Sequence, residues 1–303
     1  MKLKQIKPSD YPELKRFFKD QRYSLCEYSL SSIIAWSNSS YQPYGAIDGD
    51  ALIICAEFKT RKENRHMILP VSPVKAFSPE DLHDLAQNLG FERYWFVPDN
   101  YIETFGRSKL ENYFEVSEQP EYEDYIYQTE DLALLKGNKY SKKRNLIKQF
   151  QKEYLDAGRV KVENITSAIA SECIDFLEEW CKERDCDRDP EDDLACEKIA
   201  AINTIENIEM LEVNGILLRL DNVISAFGIA SHLTADMGVF HFEKAFSDIK
   251  GLYQFFDNLC AQRLFNGYKY INKESDMNIP GLARAKKSYH PVMMVKSYML
   301  TLR

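Results

Sequence analysis

Apolar positions along this chain alternate between helical and strand spacing, and the alternation happens twice in the same order. In the first half, Leu14, Phe17 and Phe18 make an i, i+3, i+4 stripe. Asp10 stands ready to cap it, with Pro12 in its first turn and Glu13 three residues on. A second helix is expected over residues 25–36. Strand-like runs at 44–47 and 51–58 flank Asp48-Gly49, a strong hairpin signal. A strand at 66–70 follows, then a helix opening at Ser78-Pro79 and running to 88, then a buried strand at 93–97.

The second half repeats the pattern. A helix over 167–184 puts Ile169, Cys173, Phe176, Leu177, Trp180 and Cys181 on one face, and another covers 193–204. Strands are predicted at 209–213, 215–220, 223–232 and 237–246, with Asn214-Gly215 and Asp221-Asn222 as turns. A helix at 251–265, a strand at 268–272, a short helix at 282–288 and a final strand at 292–300 complete the chain. The repeat predicts an α+β protein of two units, 1–135 and 157–303, joined by a basic segment at 136–156.

Composition narrows the class. The 303 residues are 45% hydrophobic, enough for substantial cores, and no apolar run approaches the length of a membrane span. The N-terminus carries no signal-peptide apolar stretch, and seven scattered cysteines suit a reducing compartment, so a cytoplasmic location is expected. Net charge is −8, which excludes a protein that coats nucleic acid over its whole surface. The charge is nevertheless segregated. Eight acids and no Lys or Arg occupy 111–131; seven bases and no acid occupy 136–152; after Asp276 come five bases and no acid. Two basic islands in an acidic chain suggest a focused anion site, the alternative being two solvated helix faces.

Three segments carry candidate chemistry. On the strand at 237–246, strict alternation puts Phe240, Phe242 and Phe246 on one face and His241, Glu243 and Ala245 on the other. Glu243 beside His241 would make a general-base pair; the plainer alternative is an ion pair for Glu243. Gly251 then lies between that strand and a helix N-terminus, where backbone N–H groups could meet an anion. The polar run from Asn272 through Glu274 and Asp276 to Pro280-Gly281 could orient an amine or a hydroxyl, and it leads into a helix bearing Arg284, Lys286 and Lys287. In the basic segment, Lys142, Lys143 and Arg144 follow Tyr140, a combination suited to phosphates and base stacking. Cys173, Cys181, Cys186 and Cys196 lack ligand-pair spacing, and no metal site is expected. No serine-nucleophile elbow is present.

Taken together, residues 135–150 (LKGNKYSKKRNLIKQF), 243–260 (EKAFSDIKGLYQFFDNLC) and 272–291 (NKESDMNIPGLARAKKSYHP) resemble the C-terminal catalytic domain of phosphatidylglycerol lysyltransferases. The resemblance spans essentially the whole chain. It implies two tandem acyltransferase folds of the Gcn5-related (GNAT) type, as in the Fem peptidyltransferases, each a mostly antiparallel mixed sheet flanked by helices. It also implies transfer of an aminoacyl group from aminoacyl-tRNA to a hydroxyl of a lipid head group. The matching positions are Lys142, Lys143, Arg144, Glu243, Lys244, Asn272, Asp276, Gly281, Arg284, Lys286 and Tyr289. One departure is Gly281-Leu282-Ala283-Arg284, where the resemblance leads one to expect Gly-Leu-Arg. These residues encode no multi-helix membrane domain, which makes a small soluble acceptor attractive beside a lipid one. Under this reading Glu243 and Asp276 are the catalytic candidates. Lys142, Lys143, Arg144, His241, Lys244, Gly251, Asn272, Gly281, Arg284, Lys286 and Tyr289 bind substrate. No permanently bound cofactor is expected, the donor being aminoacyl-tRNA or acyl-CoA. Acyl-CoA-dependent N-acyltransfer and an anionic-ligand-binding module without turnover remain open as alternatives, as does oligomeric state.

Overall fold

The structure, a computed structural model, describes residues 1–38, 41–59, 61–183 and 193–303, the side chains of 193–195 excepted. Its strands in chain order are β1 (Lys4–Gln5), β2 (Tyr41–Asp48), β3 (Ala51–Phe58), β4 (His66–Met67), β5 (Arg93–Pro98), β6 (Phe114–Glu118) and β7 (Asp124–Gln128). The second half supplies β8 (Val160–Asn164), β9 (Asn214–Leu220), β10 (Val223–Thr234), β11 (Met237–Ala245), β12 (Tyr270–Asn272), β13 (Met293–Val295) and β14 (Ser297–Leu302). They form two seven-stranded sheets, ordered β1-β2-β3-β4-β5-β14-β6 and β8-β9-β10-β11-β12-β7-β13.

The two orders are the same order. Five strands run in sequence, a strand from the other half fills the sixth place, and the half's own last strand closes the edge. In both sheets the fourth and fifth strands pair parallel and the other neighbours pair antiparallel. The repeated α+β architecture expected from the apolar pattern is therefore present as two mixed, helix-flanked sheets. The sheets also interlock: β7 leaves the first segment to join the second sheet, and β14 returns from the chain's end to sit between β5 and β6 in the first.

Several elements follow from local chemistry. Asp48 and Gly49, the latter at φ +56°, turn the β2–β3 hairpin. The helix Pro79–Leu89 starts from Ser78, whose hydroxyl accepts from Asp81 N–H while the Asp81 carboxylate accepts from Ser78 N–H. Three expectations give way. The opening helix begins at Pro8 as a 3-10 turn, so Asp10 lies inside it and its carboxylate accepts Lys7 N–H (2.8 Å). Residues 209–213 form turns, with Leu211 N–H donating to Asn207 O, because among the described residues no neighbouring strand is there to pair them. The single strand at 292–300 divides at Lys296, β13 lying in one sheet and β14 in the other. Arg184 and Cys186 lie outside the described residues.

The cores divide on the second sheet. Val239 and Phe242 of β11 join a large core with Phe176 and Trp180 of the helix Ala170–Lys182 and with Tyr28 and Ile34 of the first half. Phe240 and Ala245 join a second core with Phe150 of the helix Ser141–Phe150 and Phe256 of the helix Leu252–Arg263. Among the described residues no helix is long and apolar enough to cross a membrane.

Candidate active site

The site is built on β11. This strand pairs with β10 along its length but with β12 only from Met237 to Val239. Beyond Val239 the two parallel strands part, and the residues after β12 reach back across the gap. Lys273 meets Glu243 (Nζ–Oε2 3.1 Å), and Glu274 meets His241 (Oε1–Nδ1 2.9 Å).

These two bridges stand on opposite faces of the sheet. Ile229 is opposite Phe242 and Ala230 is opposite Phe240, so His241 is the extra residue of a β-bulge. The bulge reverses side-chain parity: Phe240 faces one core and Phe242 the other. The expectation that His241 and Glu243 share a face is thereby overturned.

On the Glu243 side, Lys273 also holds Asp257 (2.6 Å) and lies over the rings of Phe240 and Tyr289. Burial pushes the Glu243 carboxyl up to about 7, against the pull of Lys273. Burial would lower the Lys273 ammonium, but Asp257 and then Glu243 outweigh it and hold the charge above the ordinary lysine range. Lys273 occupies Oε2 and leaves Oε1 of Glu243 to accept from another group.

On the His241 side, Nε2 lies 2.7 Å from Ser231 Oγ, which lies 3.0 Å from Ser29 Oγ; Ser29 in turn lies 2.8 Å from Ser31. The Glu274 carboxylate can only accept, so Nδ1 of His241 carries the hydrogen and Nε2 accepts from Ser231. Glu274 itself sits at φ +58°, a conformation that non-glycine residues rarely adopt. Three bonds hold it there. Its N–H donates to Asn272 Oδ1 (2.7 Å), and its carbonyl accepts from Tyr125 N–H (3.2 Å) and Lys286 Nζ (3.1 Å).

Beneath this loop lies a buried acidic knot. Asn272 donates to Ser24 O and to Asp124 Oδ2, which also accepts Cys26 N–H. Ligand atoms of Cys26, Glu27 and Asp124 all lie within 4.8 Å of one another. Burial, partly offset by Asn272 and Cys26, pushes Asp124 up to about 7; burial and the Asp124 charge push Glu27 well above the carboxylate range.

The structure gives several expected anion-binding residues other work. Lys286 donates all three of its ammonium hydrogens' worth of bonds to the carbonyls of Lys273 (2.6 Å), Glu274 (3.1 Å) and Ser275 (2.5 Å), leaving no donor for a phosphate. Arg144 Nη1 clasps the carbonyls of Leu135 and Gly137. Lys244 is buried against Glu197 (2.7 Å) and the Trp180 ring. Gly251 is at φ +81°, and a Cβ there would meet the Leu146 carbonyl oxygen, so packing against the basic helix demands the glycine. Asp276 accepts from Tyr125 OH (2.6 Å) and Asn278 N–H (3.0 Å), holding a turn rather than meeting Glu243.

What the fold does bring together is the two basic islands. Lys143 donates to Ser288 Oγ (2.9 Å) and lies 3.3 Å from the Tyr289 ring centre, while Tyr140 OH donates to Tyr289 O. Burial draws the Lys143 ammonium down to about 8. The helix Pro280–Lys287 thus lies beside the helix Ser141–Phe150, and Lys142, Arg284, Lys287 and the helix's Gly281 are exposed. Sequence reading missed Ser231, Lys273, Asp257, Glu27 and Asp124. The available signal was polarity inside apolar runs: Ser231 follows Ala-Phe-Gly-Ile-Ala, and Asp257 follows Phe255-Phe256.

Residues 19–301 match the family described as phosphatidylglycerol lysyltransferase, C-terminal. Among solved structures, a conserved protein of unknown function from Bacteroides thetaiotaomicron is 30% identical with a TM-score of 0.87, over 99% of both chains. The C-terminal domain of a putative lysylphosphatidylglycerol synthetase from Agrobacterium fabrum is 14% identical with a TM-score of 0.55, over 94% of this chain and 85% of that one. The latter likeness is one of fold. No curated protein is significantly similar to the chain.

Proposed function

Because the chain belongs to the phosphatidylglycerol lysyltransferase C-terminal family, we propose that this acyltransferase moves an aminoacyl group from aminoacyl-tRNA to a hydroxyl or amine, on a lipid head group or a small soluble acceptor. The observation that carries the reading is the convergence of the two basic islands. Lys142, Arg284 and Lys287 come from segments more than a hundred residues apart, yet they stand on adjoining helices beside Tyr289 and the parted end of β11. A polyanionic donor fits such a face, its phosphates on the exposed cations and its ester directed toward the gap. Glu243 Oε1, on the wall of that gap, is available to accept a hydrogen bond from the attacking hydroxyl or amine. The ester is already activated, so much of the rate would come from positioning.

The Leu146 carbonyl closes one side of Gly251, which weighs against the acyl-CoA alternative, since that mode wants a phosphate at this helix start. The test is binding of bulk charged tRNA across a salt series, with acetyl-CoA in parallel. We expect tRNA affinity to fall steeply with salt, and each of Lys142→Ala and Lys287→Ala to flatten the slope by about one unit. Salt-insensitive or absent tRNA binding would sink the donor assignment, and binding of acetyl-CoA alone would favour ordinary acyltransfer.

A further inference from the structure

The structure assigns a nucleophile to this chain: Ser231, activated by His241 and Glu274, takes the acyl group before the acceptor does. The assignment takes from the acyl-transfer reading only the class of substrate; it sets the reacting carbonyl on the His241 face of β11, as the alternative to direct attack on the opposite, Glu243 face, and it rests on geometry for its chemistry. Ser231 Oγ to His241 Nε2 is 2.7 Å, and His241 Nδ1 to Glu274 Oε1 is 2.9 Å, the two links by which a serine is deprotonated and an imidazolium stabilised. The carboxylate fixes the tautomer, so the basic nitrogen faces the hydroxyl. No short sequence motif brings the three together. Ser231 comes from β10, His241 is the bulged residue of β11, and Glu274 lies past β12, so the group exists only because the strands adjoin and then part.

Two further features fit a working group better than a packing accident. Glu274 is held at a positive φ by Asn272, Tyr125 and Lys286, a strained conformation kept by three separate bonds. Ser29, from the other half of the chain, bonds Ser231 Oγ at 3.0 Å and so orients it toward His241, the alternative acceptor for its hydrogen, the His232 carbonyl, lying farther away at 3.3 Å.

The steps balance without a further reagent. Ser231 Oγ adds to the ester carbonyl as its proton passes to His241 Nε2; the ester C–O bond breaks and His241 returns that proton to the departing hydroxyl oxygen. The acceptor then adds to the acyl-serine, gives its proton to His241, and the bond to Oγ breaks as Oγ regains a proton from His241.

The experiment treats the whole protein with a small fluorophosphonate and, separately, with p-nitrophenyl acetate, quenches in acid and reads intact and peptide mass. One adduct on the peptide bearing Ser231 is expected, absent in Ser231→Ala and slowed about 10²–10⁴-fold in His241→Ala. Glu274→Gln should slow labelling without moving it. Should Ser231→Ala fold poorly, Ser231→Cys supplies the control, with the acetyl adduct expected on that cysteine. No adduct from either reagent, or an adduct that survives Ser231→Ala, overturns the proposal. The outcome is separable from the donor assignment: tRNA binding without an adduct leaves direct transfer standing, and an adduct without tRNA binding leaves the nucleophile standing with another donor.

Discussion

At Glu243 a carboxyl group has been taken out of water by β11 and given only a divided partner, since Lys273 shares its charge with Asp257. The native group therefore keeps its proton up to about pH 7, where an ordinary glutamate releases it near 4.5. Between those values the folded chain holds a proton that the unfolded chain has lost. Stability from this group accordingly falls as pH rises through the window and is level above it. Glu243→Gln removes the titration, so the wild type should lose stability relative to the variant from about pH 4.5 to 7 and keep a constant difference beyond. Urea unfolding at intervals across and above that window measures it, and a difference that grows the other way would mean the Lys273 ion pair outweighs desolvation. Glu243 was legible from the alternation of its strand, Asn272 from the polar run it opens at a strand end, and Lys143 from a basic island beside a tyrosine. Lys273 was not, since its carboxylate partners come from β11 and from the helix Leu252–Arg263. Lys286 and Arg144 were legible as cations, but that their donors end on backbone carbonyls is a fact of loop geometry, which composition does not encode.

At the scale of elements, local signals worked where the chain decides its own shape. The β2–β3 hairpin follows from Asp48-Gly49 and the helix Pro79–Leu89 from its capping box, both short-range chemistry. They failed where a partner decides. The bulge at His241 adds one residue to an otherwise regular alternation, and nothing in Phe240-His241-Phe242 marks it. Gly251 separates the two kinds of information. Sequence suggests a glycine kept for an anion, whereas the structure shows one kept for the basic helix, at φ +81° with the Leu146 oxygen where a Cβ would stand. Gly251→Ala should therefore lower stability by on the order of 2–4 kcal/mol, combining a left-handed alanine with a backbone clash. Gly281→Ala is the comparison: nothing lies within 4 Å of its Cβ position. There the expectation is no loss, and a gain of up to about 1 kcal/mol from helix propensity. Equal effects at the two sites, read by chemical denaturation, would refute the packing account of Gly251.

At the scale of the molecule, the apolar pattern revealed that an α+β unit occurs twice but not that the units exchange strands. Periodicity reports which face of a strand is buried, and β7 and β14 bury the same residues whichever sheet receives them. The exchange has a mechanical consequence. Cutting the chain in the turn at Gly158 severs no strand, yet it leaves residues 1–157 with β7 and no β14, and residues 158–303 with β14 and no β7. Each fragment then has a sheet missing its sixth strand, with β5 and β6 deprived of the strand between them in one, and β12 and β13 in the other. The large core adds to the dependence, because Tyr28 and Ile34 of one fragment pack with Val239 and Phe242 of the other. Neither fragment alone should fold, while the two expressed together should form a stoichiometric complex that melts in a single transition. Size-exclusion chromatography and thermal unfolding of the co-expressed pair test this. A fragment 158–303 that is monomeric, soluble and cooperatively folded on its own would show that β7 is dispensable to the second sheet. In that case the Ser231–His241–Glu274 group would form without Ser29 and Tyr125, which reach it from the other fragment, and both would be accessories to it.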